Sequence, residues 1–581
     1  MRFFTIIVMD NMDSFEDFNI TQEDITQIEN IEFDLLNRSL HLSSDEEDNI
    51  QPIHSKRRRV IPSDSEDSDA ETNRVIRDLD RSSPPSTWTD PKGNQRRVIA
   101  FTEFPGMHLN LRMAMTNKCP ADFFALMVTD EVLNKIVLCT NAYAFNRITI
   151  SNEASKAARI RGWVPTNLTE IKKFFGLILY MGIVRLPKIA DYWTTDKIIG
   201  QQFPRTIMSR NRFELLLAML HFSQEDEENT TDRLHRVRDL VEVMNANFKT
   251  SYTPGEDLCI DESVVPFRGR LIFRQYNKQK RHKYGIKLFK LCTLPGYTYK
   301  ISIYGGKQND DVNTTPTNVV MALCYDLLNK GHTLYTDNWY TSVGLARELL
   351  KNETHLVGTL RKNRKHFPKE IVSTKLTRGQ YIAKESDDGI TVLRWRDKRD
   401  VLVLSTKHSV RFQTVIKHRK QTSKPKIVLD YNKAKGAVDL SDQMTAYQTP
   451  LRKSIKWYKK LGIDLLLNTA MVNALILYQS VAKKKISVLE FRKEIMKSFV
   501  GFDTDDTSSN QRTRRVKHQL KKKEGPSSKT RLNTFCANCP DEPYLCVECF
   551  TKVHYGVHMK CITYPYHPVI RNTIALNNRT H

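Results

Sequence analysis

Cysteine is scarce in this chain, with ten residues in 581, and half of them lie together near the C-terminus. So few cysteines exclude a scaffold held by disulfides, which is typical of small secreted domains. The chain also lacks an uninterrupted apolar run of the roughly 20 residues that cross a bilayer. The apolar residues 3–9 are too few for a secretory signal with its cleavage site. We therefore expect a protein that is neither exported nor inserted in a membrane.

Acidic residues are too few to balance the basic ones: 90 Lys and Arg oppose 66 Asp and Glu, which gives a net charge of +24. The acids concentrate in residues 43–48 and 63–71, and the bases in residues 452–460, 483–485 and 512–531. One basic run is usually a solvated surface. Several in the same third of the chain favour a polyanionic partner, and we take it to be nucleic acid.

The N-terminal residues 1–95 have few aromatic side chains and many Ser, Asp and Pro. Such a segment buries too little apolar surface to offset its chain entropy, so we predict a disordered acidic tail. Residues 56–59 of this tail form a Lys-Arg-Arg-Arg tetrad that is typical of a nuclear import signal, and we expect the protein in the nucleus.

The remaining chain is long enough for several domains. Residues 96–255 are predicted to be mainly helical, and Asn167 with Glu170 has the spacing of a capping box that begins one helix. Short β-prone runs then alternate with helical segments, which indicates a mixed α/β sheet. The predicted strands lie at residues 271–276, 286–293, 299–304 and 333–336, with a helix at 313–329. A β-rich insertion is predicted at 341–430, a return to the core with a helical flank at 431–500, a basic linker at 501–531, and a cysteine-rich domain at 532–581.

Four aspartates fall where an α/β protein often holds its chemistry. Asp261 and Asp337 each follow an apolar β-prone run, and Asp439 and Asp442 are spaced so that both carboxylates share one face of a helix. Carboxylates from distant segments are the ligands that Mg²⁺ and Mn²⁺ require. Two such ions can activate an attacking oxygen and stabilise a leaving one in phosphoryl transfer. Each aspartate alone is equally consistent with a cap, a turn or a surface carboxylate.

The cysteine-rich domain contains two Cys-x₂-Cys pairs followed by a His-x₃-His pair. Paired ligands separated by short loops are typical of tetrahedral Zn²⁺ in a domain too small for a hydrophobic core. The predicted zinc ligands are Cys536, Cys539, Cys546, Cys549, His554 and His558. We expect a structural zinc domain that serves recognition, because the basic residues before it can contact phosphates.

From about Phe101 to its end, the chain resembles the piggyBac family of cut-and-paste DNA transposases and their domesticated relatives. Besides the Cys/His cluster, the matching motifs include Ile260-Asp261-Glu262-Ser263, Asp337-Asn338-Trp339-Tyr340 and Gly436-Ala437-Val438-Asp439 with Asp442-Gln443. The resemblance implies an RNase H-like catalytic core at 256–340 and 431–500, interrupted by the β-rich insertion. It further implies that residues 96–255 serve dimerisation and DNA binding, and that the zinc domain binds terminal inverted repeats.

In the family that this chain resembles, the carboxylates matching Asp261, Asp337 and Asp439 ligate two Mg²⁺ ions, and the one matching Asp442 is also needed. The implied reaction cleaves double-stranded DNA at the transposon ends through hairpins and joins the ends to a TTAA target. All four aspartates stand at the family's positions, so we predict an intact catalytic set. Candidate contacts to the DNA backbone are Lys283, Lys287, Arg361, Lys362 and Arg364.

Two functions remain open at this stage, an active transposase and a host-adopted DNA-binding protein that keeps the fold without catalysis. The retained carboxylates favour the first. The second is favoured by residues 521–528, where the family commonly has another Cys-x₂-Cys pair. Without it, Cys546 and Cys549 lack zinc partners unless His518 or Cys561 supplies them. A third alternative is an inactive remnant with no selected role.

Overall fold

The computed structural model describes residues 87–92, 98–150, 163–224, 232–277, 283–306, 315–417, 420–452, 456–501, 520–522 and 534–536. The chain divides into one unit of residues 1–501 and a second of residues 502–581. In the second unit, Leu520–Lys522 pairs antiparallel with Thr534–Cys536. All the elements that follow belong to the first unit.

The first half of this unit is mainly helical, in agreement with the pattern of its sequence. Its helices are α1 (Leu109–Ala114), α2 (Pro120–Met127), α3 (Asp130–Ile150), α4 (Leu168–Ile183), α5 (Gln202–Ile207), α6 (Arg210–Met219) and α7 (Arg238–Ser251). Helix α4 begins as predicted, because the Asn167 side chain accepts a hydrogen bond from the Glu170 N–H at 2.9 Å. The other half of the capping box does not form. The Glu170 carboxylate instead accepts from Thr166 and from the guanidinium of Arg212, a stronger, charge-assisted partner.

Among the described residues, ten strands form one mixed sheet. They are β1 (Trp88–Thr89), β4 (Asp257–Pro266), β5 (Gln275–Tyr276), β6 (Tyr284–Thr293), β7 (Tyr297–Ile303), β8 (Thr333–Thr336), β9 (His355–Thr359), β10 (Tyr381–Ser386), β11 (Thr391–Arg396) and β12 (Asp400–Ser405). The short strands β2 (Gly106–Met107) and β3 (Tyr252–Thr253) pair separately. The order in the large sheet is β1-β10-β11-β12-β9-β8-β4-β6-β5, with β7 also on β6. Only the pairs β4–β8 and β8–β9 are parallel, which makes this a mixed α/β sheet.

The remaining elements connect or cover these strands. They are α8 (Pro316–Cys324), α9 (Val343–Lys351), α10 (Glu370–Ser373), the hairpin β13 (Phe412–Lys417) and β14 (Lys420–Pro425), α11 (Lys426–Ala434), α12 (Ala437–Ala446), α13 (Trp457–Asp464), α14 (Ala470–Ala482) and α15 (Val488–Val500). Helices α8 and α9 pack on one face of the sheet, and their apolar residues share a core with β4, β8 and β9.

Residues 341–430 are rich in strands, as the sequence predicts, but most of these strands do not form a sheet of their own. Strand β12 pairs with β9, so that β10, β11 and β12 extend the main sheet. The edge next to β10 is covered by Trp88–Thr89, two residues that the sequence analysis assigned to the disordered tail. Trp88 packs against the apolar core below the sheet, which gives this short segment a reason to be ordered.

Helix α13, a π-helical turn at Leu465–Thr469 and α14 form a continuous helix through the helical core. By length and apolarity, residues Trp457–Ala482 could cross a membrane, yet the apolar window is buried entirely within the protein. Its apolar residues pack with those of α2, α4 and α15. The segment is therefore accounted for as a core helix.

Strand β7 pairs with β6 on one side, and two asparagine side chains satisfy backbone groups that face away from β6. Asn473 on α14 accepts from the Thr298 N–H and donates to its carbonyl, both at 2.8 Å. Asn245 on α7 does the same at Ile301, with both distances at 2.9 Å. Each side-chain amide makes the two hydrogen bonds that a neighbouring strand would otherwise make with β7. These bonds attach the sheet to helices α7 and α14.

Replacing Asn473 with Ala leaves the buried N–H and carbonyl of Thr298 without these partners. We expect the substitution to lower Tm by roughly 3–8 °C, because each unsatisfied buried backbone group costs about 1–3 kcal/mol. Asn245→Ala should cost less, since Asn245 is half-buried and water can replace its amide. Thermal unfolding followed by circular dichroism measures both, with the exposed Asn363→Ala as control. Equal Tm values for Asn473→Ala and the control would contradict this role.

Candidate active site

Asp261 and Asp337 lie side by side because β4 and β8 are parallel neighbours. Ile260 and Thr336 are paired residues, so the two aspartates that follow them occupy the next position on adjacent strands. Backbones of adjacent strands are about 4.8 Å apart. The sequence suggested that a strand ends at Asp261, and this prediction was wrong. Strand β4 continues to Pro266 through its pairing with β6, and only its pairing with β8 ends at Ile260.

The loop after β8 holds Asp337 in a fixed position. Its carboxylate accepts a hydrogen bond from the Trp339 N–H at 2.8 Å, and its carbonyl accepts from the Thr341 hydroxyl at 2.7 Å. Gly358 on β9 makes room for this loop, since a Cβ there would lie 2.2 Å from the Thr341 hydroxyl oxygen. Burial raises the pKa of the Asp337 carboxyl, although the Trp339 N–H acts in the opposite direction.

Asp439 and Asp442 lie on α12, in agreement with the predicted helix, but their surroundings differ. Asp439 is exposed in the first turn, where a negative charge also favours the helix dipole. Asp442 points to the sheet: its Oδ1 atom accepts from the Ser263 hydroxyl on β4 and from the Lys290 ammonium on β6, both at 2.8 Å. The two carboxylates share a helix and have different partners.

The negative charges of these carboxylates affect the pKa of two buried groups nearby. Burial raises the pKa of the Cys259 thiol, and the negative charges of Asp261 and Asp439 act in the same direction. Burial likewise raises the pKa of Tyr340, with Glu262, Asp261 and Asp337 adding to the effect. Cys259 is thus influenced by Asp261 and Asp439, and Tyr340 by Asp261 and Asp337.

Oxygen donors from these three aspartates have the chemistry that Mg²⁺ and Mn²⁺ require. Within the part of the chain that the structure describes, however, no three His, Cys, Asp or Glu side chains are grouped so that they could hold a metal ion. The nearby carboxylate of Glu262 lies 2.6 Å from the ammonium of Lys287. The carboxylate oxygens are chemically suited to a hard divalent ion. In the described residues, however, they are not close enough together to form a set of three ligands.

Three of the five basic residues predicted to contact DNA bind to groups beside the site. Lys287 pairs with Glu262 and lies over the rings of Trp339 and Phe289, at 4.7 and 4.9 Å from their centroids. The Arg361 and Arg364 side chains donate to the Asp337 loop: Arg361 to the Asn338 side chain at 3.1 Å, and Arg364 to the Asn338 and Trp339 carbonyls.

Lys362 and Lys283, the other two predicted DNA contacts, lie at the surface. The Lys362 ammonium is 3.6 Å from Asp400, and its side chain is largely exposed. Lys283 is exposed immediately before β6. These positions leave both ammonium groups within reach of a large partner.

Lys290 and Ser263 are two residues at this site that the sequence analysis missed. Side chains alternate along a strand, so Cys259, Asp261 and Ser263 share the face of β4 that α12 covers. Lys290 is the direct partner of Asp261 on β6. The available signal was a lysine inside the apolar run of β6, because a lysine that is fully buried almost always has a charged partner.

Ser405, His408 and Asp430 form a hydrogen-bonded chain that resembles a hydrolytic triad. Ser405 Oγ lies 3.0 Å from one ring nitrogen of His408, and the other nitrogen lies 2.7 Å from Asp430. Ser405 is fully buried and accepts hydrogen bonds from the Lys407 and His408 N–H groups. A substrate cannot reach this hydroxyl. We therefore interpret the three hydrogen-bonded side chains as a structural network that stabilises the turn after β12.

The predicted zinc ligands lie outside the described residues, apart from Cys536, whose backbone ends the last strand. The ligands not described are Cys539, Cys546, Cys549, His554 and His558. The zinc domain thus stays a prediction.

Comparison with known proteins places these elements in context. A family model described as Transposase IS4 matches residues 119–475, more than half of the chain. The human PiggyBac transposable element-derived protein 3 is 24% identical over 468 residues, which cover 76% of this chain and 75% of that protein. The human PiggyBac transposable element-derived protein 2 is 26% identical over 421 residues, 68% of each chain. Among solved structures, a piggyBac transposase in a synaptic complex with hairpin DNA has a TM-score of 0.60 at 26% identity, covering 71% of this chain and 86% of that one.

Replacing Asp337 with Asn should stabilise the metal-free protein. Because burial places the pKa of Asp337 above its unfolded value, its charge disfavours folding at pH 7. We expect Tm in EDTA to rise by roughly 1–3 °C. The gain should vanish as the pH falls through the raised pKa, because the wild-type carboxyl is then protonated too.

Asp430→Asn is the matched control with the opposite sign. Burial raises the pKa of Asp430, but the hydrogen bond from His408 and the positive charges of His408, Lys426 and Lys407 together lower the pKa overall. Loss of this charge should lower Tm at pH 7, with the difference fading as the pH drops through the lowered pKa. If Asp337→Asn also lowered Tm in EDTA, the carboxylate would be a stabilising group, and the inference that its charge disfavours folding would be wrong.

Proposed function

This chain belongs to the IS4 transposase family and is of the piggyBac type, and from that membership we propose that it is a divalent-metal-dependent DNA transposase. The observation that carries the proposal is the adjacency of Asp261 and Asp337 on parallel strands, with the helix that carries Asp439, α12, packed against β4 and β6 through Ala437 and Val438. The large mixed sheet around them would then be the RNase H-like core that the resemblance implies. Family membership alone would not indicate that the carboxylates are retained.

Asp261, Asp337 and Asp439 would hold Mg²⁺ or Mn²⁺, which supplies activation of an attacking oxygen and stabilisation of a leaving oxygen at a phosphate. Backbone hydrogen bonds orient two of these carboxylates without a bound ion. The Trp339 N–H orients the Asp337 carboxylate, and the Glu262 N–H donates to Asp261 Oδ1 at 2.7 Å. Arg361 and Arg364 hold the loop that carries Asp337, so the loop does not depend on the ion for its shape.

Double-stranded DNA is the proposed partner, and the net charge of +24 supports it. In finer detail, the substrate would be terminal inverted repeats cut through hairpin ends and joined at TTAA, by a homodimer acting in the nucleus. The synaptic complex with hairpin DNA reported for the similar piggyBac transposase supports this reaction. A Zn²⁺ domain formed by the C-terminal cysteines and histidines would recognise the repeats.

A host-adopted DNA-binding protein without catalysis is the second candidate function. Two observations favour it. The human relatives are described by name as derived from transposable elements, and no three ligands are grouped to hold a metal ion among the described residues. In that case, Asp337 would persist without a catalytic use.

Cleavage of a plasmid that carries the flanking element ends distinguishes the two functions. With Mg²⁺, we expect the purified protein to produce hairpinned ends. Asp337→Asn should reduce the yield by about 10²–10³-fold, since removal of a group that stabilises the transition state commonly costs this much. The control is Asp388→Asn, an exposed carboxylate on the turn before β11. DNA binding by the wild type without cleavage would support the adopted protein instead.

Lys283 and Lys287 should differ in their effect on DNA affinity. A lysine that contacts phosphate adds about 1 to the slope of log affinity against log salt. Lys283 is exposed, so Lys283→Gln should weaken binding and reduce the slope by about 1. Lys287→Gln should leave the slope unchanged, because its ammonium is held by Glu262 and two aromatic rings. Fluorescence anisotropy with a random duplex across a salt series measures both, and a reduced slope for Lys287→Gln would show a phosphate contact there.

A further inference from the structure

Lys290 is a charged residue at the centre of the sheet, where charges are rare. It lies on β6 directly opposite Asp261, and only 1% of its surface is exposed. An ammonium group buried so deeply is costly unless it is paired and hydrogen-bonded. Its neighbours along β6 are the buried apolar residues Phe289 and Leu291, and they offer no such partner.

The partners of Lys290 come from two helices that cover this face of the sheet. The Nζ atom lies 2.8 Å from Asp442 Oδ1 on α12. Burial opposes the charge of Lys290, but Asp442 and then Asp464 on α13 outweigh it, so that the pKa of Lys290 lies above its ordinary value. Asp464 is itself 8% exposed and accepts a hydrogen bond from Asn468 at 2.7 Å. The ammonium is therefore bonded to Asp442 on α12 and is further favoured by the negative charge of Asp464 on α13.

Asp442 is held from two strands at once. Its Oδ1 atom accepts from Lys290 on β6 and also from the Ser263 hydroxyl on β4. The preceding residue, Ser441, is fully buried and lies 3.0 Å from the Thr298 hydroxyl on β7. Two consecutive residues thus join α12 to three strands. Asp439 precedes Asp442 by three residues, and its position relative to Asp261 follows from this attachment.

We propose that Lys290 is a positioning residue for the reaction: through Asp442 it fixes α12 on β4 and β6 and so places Asp439 beside Asp261. Asp442 acts as the acceptor of this anchor and does not ligate the metal ion. The functional consequence rests on the proposed transposase activity, whereas the anchoring of α12 does not. The role assigned to Lys290 is indirect, because it acts through Asp442.

Three variants separate an anchor from a ligand: Lys290→Met, Asp442→Asn and the double substitution. Met fills the volume of Lys without its charge, and Asn keeps an acceptor oxygen at position 442. We expect each single variant to reduce plasmid cleavage by about 10–100-fold, the usual cost of losing a partner of a metal-site group, and to raise the half-saturating Mn²⁺ concentration. The double variant should be no worse than the poorer single variant, because the two residues act as one unit.

A ligand role for Asp442 predicts a different pattern. In that case, Asp442→Asn would lower cleavage equally at every Mn²⁺ concentration, including saturating ones, and the double variant would multiply the two losses. That result would overturn the proposal. An unchanged cleavage rate and Mn²⁺ dependence in Lys290→Met would also overturn it.

Lys459→Met is the matched control, a buried lysine bonded to the helical region. Lys459 is 7% exposed and donates to the carbonyls of Leu217 and Ala218 on α6. Its replacement should lower Tm without moving the half-saturating Mn²⁺ concentration. A shift equal to that of Lys290→Met would mean that loss of stability alone produces the effect, and the positioning role would fail.

Hydrogen exchange of the α12 amides provides a measurement that does not need activity. In Lys290→Met, residues 437–446 should exchange roughly tenfold faster than in the wild type, while α4 is unchanged. If the wild type bound DNA but never cleaved it, the proposed function would fail, and faster exchange confined to α12 would still support the anchor. Unchanged α12 exchange would sink the anchor whether or not the wild type is active.

Discussion

The site depends on the alternation of side chains along β4. Cys259, Asp261 and Ser263 occupy every second position, so all three face α12, and a shift of one residue would turn them to the opposite face. The shift is prevented by pairing on both sides: β6 is antiparallel along the whole strand, and β8 is parallel along its first part. The register of one strand thereby fixes which residues can meet the helix that carries Asp439.

Strands with a strong apolar pattern could be predicted from the sequence, and β8 was predicted to its final residue. The helix that carries Asp439 and Asp442 was also recognisable, because its apolar positions recur with helical spacing. The sheet order was not predictable. Which strand pairs with which depends on contacts between residues far apart in sequence, and β10 to β12 join the main sheet through such contacts with β9.

The partners of charged residues were equally hidden from the sequence. Lys287 and Arg364 are basic residues of the kind that contacts DNA. Only the structure shows that Lys287 pairs with Glu262 and that Arg364 donates hydrogen bonds to the Asp337 loop. Lys290 was overlooked because one lysine in an apolar strand is not a motif. The four aspartates could be selected in advance since they fall in motifs of a recognisable family, which is information about ancestry more than about geometry.

Strand β1 gives the segment before the helical region a mechanical role. It covers the outer edge of β10, where its two residues pair with Ser386 and Glu385, and the Lys92 N–H donates to the Glu385 carboxylate at 3.2 Å. A bare edge strand is a template for pairing with other chains. A shortened protein that starts at residue 96 would uncover this edge and the apolar surface beneath Trp88. Self-association of such a fragment would then report a lost strand, and it would say nothing about the acidic residues removed with it.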